Sequence, residues 1–324
     1  MGTVVVVTTG GTIASTSTST GAKAASVAGA DLVAGLPLPA DLEVRVVDVV
    51  QVNSYDLTFA DMDAIGAAVR DALADPEVRG VVVTHGTDTL EETAMLLDLF
   101  HGDPRPVVLT GAQRSHDDPD NDGPRNLADA LTVAASTDAR GRGVLVCFAG
   151  LVHAARGTRK VHTGDLDAFR DVDHGPIGRV TADGVVDLDA ARPRVDTRLR
   201  APAALAGVRV AIVPVYPGVD ATAIDAHLAQ GIDGVILAAT GYGNANRAII
   251  DGVRRCGDAG IPVVLSTRVA GGEVRPVYAG GALLVEAGAA LAGFLRPSQA
   301  RIQLAALIAA GCGREQIAAA FAAS

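Results

Sequence analysis

Short apolar runs alternate with longer segments of helical periodicity along the first half of this chain. The runs have the length of β-strands and are rich in valine. They are Thr3–Thr8, Glu43–Val50, Gly80–Thr84, Pro106–Thr110 and Gly143–Phe148. Strands of a parallel sheet are buried on both faces and are joined by helical crossovers. The pattern therefore predicts an α/β fold with a largely parallel sheet.

Two of the connecting segments have the spacing of amphipathic helices. The segment Phe59–Leu73 carries apolar residues three or four positions apart, as one face of a helix requires. These residues are Met62, Ile65, Val69 and Leu73. A second helix is predicted at Leu90–Phe100, because Thr89–Glu92 fits the S/T-x-x-E capping box and Gly102 is a suitable stop.

The pattern changes after Phe148. Residues 190–207 are rich in alanine, arginine and proline, which is typical of a linker. Beyond them a second α/β unit is predicted. Its elements are Val208–Val215, Thr222–Gln230, Gly234–Ala238, Asn246–Cys256, Pro262–Leu265 and Pro297–Phe321, the last broken near Gly311. We therefore predict a larger N-terminal domain at 1–189 with the mainly parallel sheet, and a smaller C-terminal α/β domain at 208–324.

Composition narrows the class of partner. The chain has 324 residues, of which 49% are hydrophobic, and a formal net charge of −10. This length favours two domains, and the negative charge would repel a phosphate backbone. Because no cluster of lysine and arginine offsets that charge, we expect a small-molecule partner and no nucleic acid.

Signals for membranes, metals and disulfides are weak. The apolar run Val4–Val7 is too short for the core of a signal peptide, and no run reaches transmembrane length. We therefore expect no membrane partner and a cytoplasmic location, with a processed secreted form as the alternative. Cys147, Cys256 and Cys312 form no C-x-x-C pair, so we expect buried free thiols and no zinc site.

Polar residues collect at the ends of three predicted strands. They are Thr9–Thr12, Thr84–Thr89 and Thr110–Gln113. In an open parallel sheet, ligands bind outside the carboxyl ends of the strands. These three segments therefore mark a candidate site.

Hydroxyl groups beside glycines indicate nucleophilic chemistry at this site. Gly10 and Gly11 can offer backbone N–H groups to an oxyanion next to the hydroxyl of Thr12. A plain tight turn is the simpler interpretation of two glycines and a threonine alone. A second hydroxyl, Thr87, followed by the acid Asp88, favours the functional interpretation.

Two long motifs resemble the signature segments of the bacterial L-asparaginases. They are TTGGTIAS at Thr8–Ser15 and THGTDTLEETA at Thr84–Ala94. The resemblance extends through VNSYD at 52–56, DGPRNL at 122–127, RGVLV at 142–146, GTRKVHTGD at 157–165, GYGNAN at 241–246 and STRVAGG at 266–272. It implies a homotetramer with active sites between subunits. It also implies hydrolysis of the side-chain amide of L-asparagine, and to a varying degree of L-glutamine, to the acid and ammonia without a cofactor.

The resemblance assigns catalytic roles to four residues. Thr12 matches the family's threonine nucleophile, and Lys160 matches a lysine of its catalytic set. Thr87 and Asp88 match the threonine and aspartate of the second motif. A lysine acts as a base only when burial lowers its pKa, which a neighbouring carboxylate opposes. We therefore expect Asp88 to hold the substrate's α-ammonium group and Lys160 to tune Thr87 or its attacking water. Either threonine could be acylated, and we favour Thr12.

The resemblance also indicates substrate-binding residues. Ser54 matches a donor to the α-carboxylate, although a turn serine bonded to its own backbone fits the pattern equally well. Asn246 matches an asparagine that the family lends to a neighbouring subunit's site, and it is also suited to cap the following helix. Gly11, Gly86 and Tyr55 complete the predicted binding set. Tyr55 stands where the family often has glutamine. The bulkier tyrosine would reshape the pocket.

The predicted lid departs from the family pattern. Ser15–Ala30 is rich in serine, threonine and glycine, which is typical of a mobile loop that closes over substrate. The family's lid carries a tyrosine close to the nucleophile, and this segment has none. Either another group activates Thr12, with Tyr55 as one candidate, or turnover is slower than the resemblance implies.

Other interpretations apply to two of the polar segments. Asp118–Asp129 fits the calcium-loop template except for aspartate in place of the final glutamate. More simply, Asp122 and Pro124 open a helix with proline in its first turn. His85, inside the second motif, is interpreted as a residue that shapes the turn through backbone hydrogen bonds rather than as a base.

Three functions are consistent with the chain. The first is an amidohydrolase acting on L-asparagine, or one preferring glutamine. The second is an ammonia-supplying subunit of a tRNA-dependent amidotransferase, which we disfavour because it would usually bring an additional N-terminal domain and a basic face. The third is a binding protein of the same fold that keeps a pocket for aspartate or asparagine without effective catalysis.

Overall fold

The chain divides into two compact units, Met1–Arg194 and Val195–Ser324, in the computed structural model. The structure describes residues 2–18, 20, 22–36, 42–189, 199 and 203–323. The predicted linker, 190–207, lies mostly outside the described residues. The domain boundaries inferred from sequence therefore stay a prediction.

The first unit contains most of the strands. They are β1 (Gly2–Gly10), β2 (Ser15–Ser17), β3 (Lys23–Ala25), β4 (Leu42–Val52), β5 (Val78–Thr84), β6 (Val107–Thr110), β7 (Val144–Phe148), β8 (Leu151–Ala154), β9 (Thr158–Lys160), β10 (Phe169–Asp171), β11 (Gly178–Val180) and β12 (Val186–Leu188). Its helices are α1 (Gly29–Val33), α2 (Phe59–Ala74), α3 (Leu90–Phe100) and α4 (Gly123–Ala135). Short 3₁₀ turns at Thr12–Ala14 and Ser54–Asp56 follow β1 and β4.

Eight of these strands form one sheet in the order β12-β11-β8-β7-β6-β5-β1-β4. From β4 to β7 in this order the strands run parallel, with Val6 of β1 opposite Val46 and Val82 on its two neighbours. Antiparallel pairs complete the opposite edge. The predicted largely parallel sheet is therefore confirmed. Because β1, β5 and β6 are parallel neighbours, their carboxyl ends lie side by side at the same end of the strands.

Alternate residues of β1 face opposite layers of the first unit. Within Val4–Val7, all fully buried, the odd-numbered residues belong to the cluster that contains Ile65 of α2 and Leu90 of α3. The even-numbered residues belong to the cluster that contains Leu127 of α4. Burying one such side chain contributes about 1.5–3 kcal/mol, so helices on both faces hold the strand that ends at the candidate site.

The second unit is a smaller parallel α/β layer structure. Its strands are β13 (Val210–Pro214), β14 (Gly234–Ala239), β15 (Val263–Thr267) and β16 (Ala290–Leu291), adjacent in that order and all parallel. Its helices are α5 (Thr222–Ala229), α6 (Arg247–Asp258), α7 (Ala279–Glu286), α8 (Pro297–Ala309) and α9 (Arg314–Ala322). The predicted break near Gly311 is confirmed, and this residue has a φ of +74° that favours glycine.

One local prediction at the start of α3 is wrong. The hydroxyl of Thr89 donates to the carbonyl oxygen of Ser54 at 2.8 Å, and no side chain caps the helix. The capping box predicted at Thr89–Glu92 therefore does not form, because a tertiary acceptor takes the hydroxyl. The bounds predicted for this helix, Leu90–Phe100, are confirmed.

The segment predicted as a loop, Ser15–Ala30, contains regular structure. Strands β2 and β3 pair antiparallel, with Ser15 opposite Ala25 and Ser17 opposite Lys23. We call the pair β2 and β3 the hairpin. It follows directly from the 3₁₀ turn that begins at Thr12.

Two global expectations can be compared with the described residues. None of the described helices is long and apolar enough to cross a membrane. Cys147 and Cys256 are buried free thiols, as predicted, whereas Cys312 is half-buried.

Candidate active site

The glycines at the end of β1 bring two hydroxyl-bearing turns together. Gly10 and Gly11 have φ values of +88° and +78°, a region that favours glycine. A Cβ atom built on Gly11 would lie 2.4 Å from both the backbone nitrogen and the Cα of Gly86. The two backbones are therefore in contact, with Thr12 and Thr87 each one residue beyond that contact.

Thr12 begins the 3₁₀ turn after β1 and is half-buried. Within the described part of the chain, no side chain is hydrogen-bonded to its hydroxyl. The N–H of Gly11 donates to the carbonyl oxygen of Val52 at 3.0 Å. That N–H is therefore not available to an oxyanion, and the oxyanion role inferred from sequence is wrong for the amide of Gly11.

The ammonium group of Lys160 connects the second threonine to the acid. Its Nζ lies 2.8 Å from Thr87 Oγ1 and 2.8 Å from Asp88 Oδ1. Thr87 is buried, whereas the Asp88 side chain is 55% exposed and the Lys160 side chain 17%. The cluster of Thr87, Asp88 and Lys160 predicted from sequence is thus brought together, with its carboxylate accessible to a ligand.

Glu91 makes a contact with Lys160 that was not predicted from the sequence. Its Oε2 accepts a hydrogen bond from the backbone N–H of Lys160 at 2.7 Å. Glu91 lies in the first turn of α3, and Lys160 ends β9. The bond therefore ties the strand that carries the lysine to the helix that follows Thr87 and Asp88. An acidic residue at a helix start is so common that its sequence gives no signal of this role.

Ser54 joins the site through the 3₁₀ turn after β4. Its Oγ accepts from the backbone N–H of Asp88 at 3.2 Å. A Cβ on Gly86 would lie 2.6 Å from that same Oγ, so glycine permits the close approach. The structure shows this tertiary bond for Ser54 Oγ and not the bond to its own turn that the alternative interpretation requires. Ser54 is buried against the second motif instead.

Tyr55, next along the same turn, is hydrogen-bonded to a residue at the start of that turn. Its hydroxyl accepts a hydrogen bond from Nδ2 of Asn53 at 2.8 Å, and the residue is 66% exposed. The structure shows no hydrogen bond from Tyr55 to Thr12 or Thr87 among the described residues.

His85 is a buried neutral residue that fixes the turn before Thr87. Its Nδ1 lies 2.7 Å from the carbonyl oxygen of Gly86, and its Nε2 lies 2.8 Å from Thr93 Oγ1. A carbonyl only accepts, so Nδ1 carries the proton and Nε2 accepts from Thr93. Burial lowers the pKa of His85 to about 4, against a smaller opposing effect of the bond to Gly86. The structure thus shows the turn-shaping contact expected for this residue.

Asn246, in the second unit, caps α6. Its Oδ1 accepts from the backbone N–H of Ile249 at 3.1 Å, and its Nδ2 donates to the carbonyl oxygen of Val219 at 2.7 Å. The capping role anticipated from sequence is confirmed. Its role in a neighbouring subunit's site stays a prediction.

Carboxylates within the segment 118–129 accept hydrogen bonds from N–H groups of the protein and do not surround one cation position. Asp122 accepts from the backbone N–H groups of Gln113 and Arg114, and Asp129 accepts from Arg125 Nε at 2.9 Å. No group of three or more metal-ligating side chains is present in the described residues. The calcium interpretation is therefore not supported, and the helix predicted to start here is α4, with proline in its first turn.

Comparisons with known proteins cover both units. The family model for the N-terminal domain of asparaginase matches residues 3–193. The model for the glutaminase/asparaginase C-terminal domain matches residues 209–321.

Individual relatives match over similar lengths. An L-asparaginase of Bacillus licheniformis is 34% identical over 310 residues, which are 94% of this chain and 95% of that protein. A probable L-asparaginase of Deinococcus radiodurans is 43% identical over 242 residues, 73% of each chain. The crystal structure of a probable cytoplasmic L-asparaginase from Campylobacter jejuni superposes with a TM-score of 0.87 at 27% identity, covering 99% of both chains.

Proposed function

Because this chain belongs to the asparaginase family, we propose that it hydrolyses the side-chain amide of L-asparagine to L-aspartate and ammonia, with Thr12 as the nucleophile. One observation carries the proposal. Lys160 contacts both Thr87 and Asp88 beside the backbone contact that adjoins Thr12. Two hydroxyls, an ammonium and an accessible carboxylate are the groups that acyl transfer from an amino-acid amide requires.

Substrate binding is assigned to charged and polar groups around Thr87. The accessible carboxylate of Asp88 receives the α-ammonium group, and Ser54 Oγ lies at the backbone of the same residue, where it can meet the α-carboxylate. Gly11 and Gly86 are assigned to the binding site because their close backbone contact brings the turns that carry Thr12 and Thr87 together. Tyr55, which is exposed and follows Ser54 in the chain, is proposed to affect the choice between asparagine and glutamine.

The proposed reaction has two steps. In the first, Thr12 Oγ forms a bond to the amide carbon, its proton passes to the leaving nitrogen, and ammonia departs from an aspartyl ester. In the second, a water held by Thr87 adds to the ester carbon. The ester C–O bond breaks, Thr12 recovers its proton, and aspartate leaves. Lys160, which donates to Thr87 Oγ1 at 2.8 Å, holds that hydroxyl in place for the attacking water.

Ammonia release from L-asparagine and L-glutamine by the purified protein tests this proposal. Thr12→Ala and Thr87→Ala are each expected to lower kcat by a factor of about 10³ or more, because the first removes the nucleophile and the second removes the group that holds the attacking water. Thr132→Ala is the matched control, since that hydroxyl bonds to its own helix at Ala128. Full turnover in the Thr12→Ala protein would overturn the nucleophile assignment.

Two alternatives are distinguished by this assay together with melting temperatures measured with and without aspartate. A binding protein of this fold would gain thermal stability from aspartate without releasing ammonia. An enzyme preferring glutamine would show the higher kcat/KM with that amide. A homotetramer and a cytoplasmic location stay predictions beside the proposed activity.

A further inference from the structure

A single carboxylate joins both strands of the hairpin to the loop between β6 and α4. Asp117 Oδ2 accepts from the backbone N–H of Ser17 at 2.9 Å and from its Oγ at 2.6 Å. Asp117 Oδ1 accepts from Lys23 Nζ at 2.9 Å and from Ser115 Oγ at 2.7 Å. Ser17 belongs to β2 and Lys23 to β3, so the carboxylate holds the two strands together and to its own loop.

Two further bonds strengthen this junction. Lys23 Nζ also donates to Ser17 Oγ at 2.7 Å, and the backbone N–H of His116 donates to the carbonyl oxygen of Ser15 at 2.9 Å. The bonds from Ser17, then those from Lys23 and Ser115, hold the pKa of Asp117 well below its usual range. The residue is thus charged at neutral pH, where charge-assisted hydrogen bonds are stronger than neutral ones.

The hairpin is attached at both ends to the turn that carries Thr12. At its start, Ser15 Oγ donates to the carbonyl oxygen of Gly11 at 2.8 Å. After its second strand, the N–H groups of Ser26 and Val27 donate to the carbonyl oxygen of Ala14 at 2.8 and 3.0 Å. A displacement of the hairpin would therefore be transmitted directly to the 3₁₀ turn.

We propose that Asp117 is a positioning residue for Thr12: by binding Ser17 and Lys23 it holds the hairpin, and the hairpin holds the nucleophile's turn. This inference rests on the proposed function, since it assigns Asp117 to the same reaction. The side chain contacts neither Thr87 nor Lys160 in the described residues. Its effect on turnover passes through the backbone next to Thr12.

Kinetics of Asp117 variants test the inference. Asp117→Ala is expected to lower kcat for L-asparagine about tenfold with a smaller change in KM, because small displacements of a reacting atom are costly. Asp117→Glu keeps the negative charge and should recover most of that loss. The pair of Lys23 and Asp117 is partly exposed, so the melting temperature should change little.

Asp187→Ala is the matched control. It removes the carboxylate of another exposed ion pair in the same unit, with Arg179 at 3.3 Å, on strands remote in sequence from the hairpin. It should keep wild-type kcat. An Asp117→Ala protein with wild-type kcat, or one whose loss is matched by Asp187→Ala, would overturn the inference.

Limited trypsin digestion supplies a readout that does not depend on activity. Lys23 is the only lysine or arginine before Arg45, so cleavage after it gives a diagnostic N-terminal fragment. Release of Lys23 in Asp117→Ala should accelerate this cleavage severalfold over wild type and over Asp187→Ala. An unchanged cleavage rate would contradict the holding role. If wild type released no ammonia, the proposed function would fail, while this comparison would still decide whether Asp117 holds the hairpin.

Discussion

At the scale of single residues, the absence of a side chain at two glycines makes the site possible. Gly11 approaches Gly86, and Gly86 approaches Ser54, at distances that no Cβ could occupy. Three segments remote in sequence thereby converge on one point. The sequence indicates glycines at the strand ends, but their mutual contact depends on the order of β4, β1 and β5 in the sheet.

Replacing Gly11 by alanine should test this contact. The new Cβ would meet the Gly86 backbone, which cannot rotate away as a side chain can, in addition to the strain of a φ of +78°. We expect Gly11→Ala to lower the free energy of unfolding by about 3 kcal/mol or more, as measured by urea denaturation.

Gly35→Ala separates the two causes. Gly35 has a φ of +77°, and a Cβ there would have no atom within 4 Å. Only the backbone strain applies, so the loss should be about 1 kcal/mol. Equal losses in the two variants would show that Gly11 and Gly86 do not constrain each other.

At the scale of elements, the turn between β5 and α3 depends on a buried neutral histidine. His85 holds the carbonyl of Gly86 through Nδ1 and accepts from Thr93 in α3 through Nε2. Its motif position suggested this role, although the partner Thr93 was not foreseen. Thr93 lies in the first turns of the helix, where a hydroxyl gives no distinctive sequence signal.

The stability of the protein should therefore fall between pH 6.5 and about 4. Burial lowers the pKa of His85 from its ordinary value of 6.5 to about 4, so in this range the unfolded chain binds a proton that the folded chain excludes. This linkage removes about 3 kcal/mol of stability by pH 4 and none above pH 6.5.

Urea denaturation of wild type and His85→Gln across this pH range measures the effect. Glutamine offers an NH2 group that donates and a carbonyl oxygen that accepts, but it does not titrate. The variant should be less stable at pH 7 and lose less stability on acidification. A pH slope identical to that of wild type would exclude His85 as the responsible group.

Several elements had no usable local signal. Strands of two to four residues, such as β2, β3 and β16, are too short for periodicity to identify, and they exist because a neighbouring strand supplies their hydrogen bonds. The predicted capping box at Thr89 failed for a related reason. Its hydroxyl meets a carbonyl from a different part of the chain, and that contact is invisible to a local motif.

At the scale of the whole molecule, Asn246 has one observed role, the cap on α6, and one predicted role in the assembly of subunits. Its cap on α6 is a local role, whereas its predicted contribution to a neighbouring subunit's site requires a homotetramer. Such an assembly would have four times the chain mass of 32.7 kDa, which sedimentation equilibrium can measure. A monomer with full activity would contradict sites shared between subunits.

Two substitutions separate these roles. Asn246→Ala should lower the free energy of unfolding by about 1 kcal/mol through loss of the cap. Asn246→Ser keeps an oxygen acceptor for the N–H of Ile249 and should retain most of that stability. If the asparagine also serves a partner's site, kcat/KM for L-asparagine should fall about tenfold in Asn246→Ser. Wild-type kcat/KM in this variant would leave only the capping role.

The sequence by itself determined the α/β class, the long central strands and helices, and the identity of Thr12, Thr87, Asp88 and Lys160 as the chemical groups of interest. These features are encoded locally, in apolar periodicity, in two long motifs and in the segment 157–165 that carries Lys160. Only the tertiary structure decided which atoms meet. The examples are three hydrogen bonds: that of the Gly11 N–H to Val52, that of the Lys160 N–H to Glu91, and that of Lys23 in the hairpin to Asp117. Each joins residues far apart in the chain, so its geometry depends on strand order and packing, which no local pattern specifies.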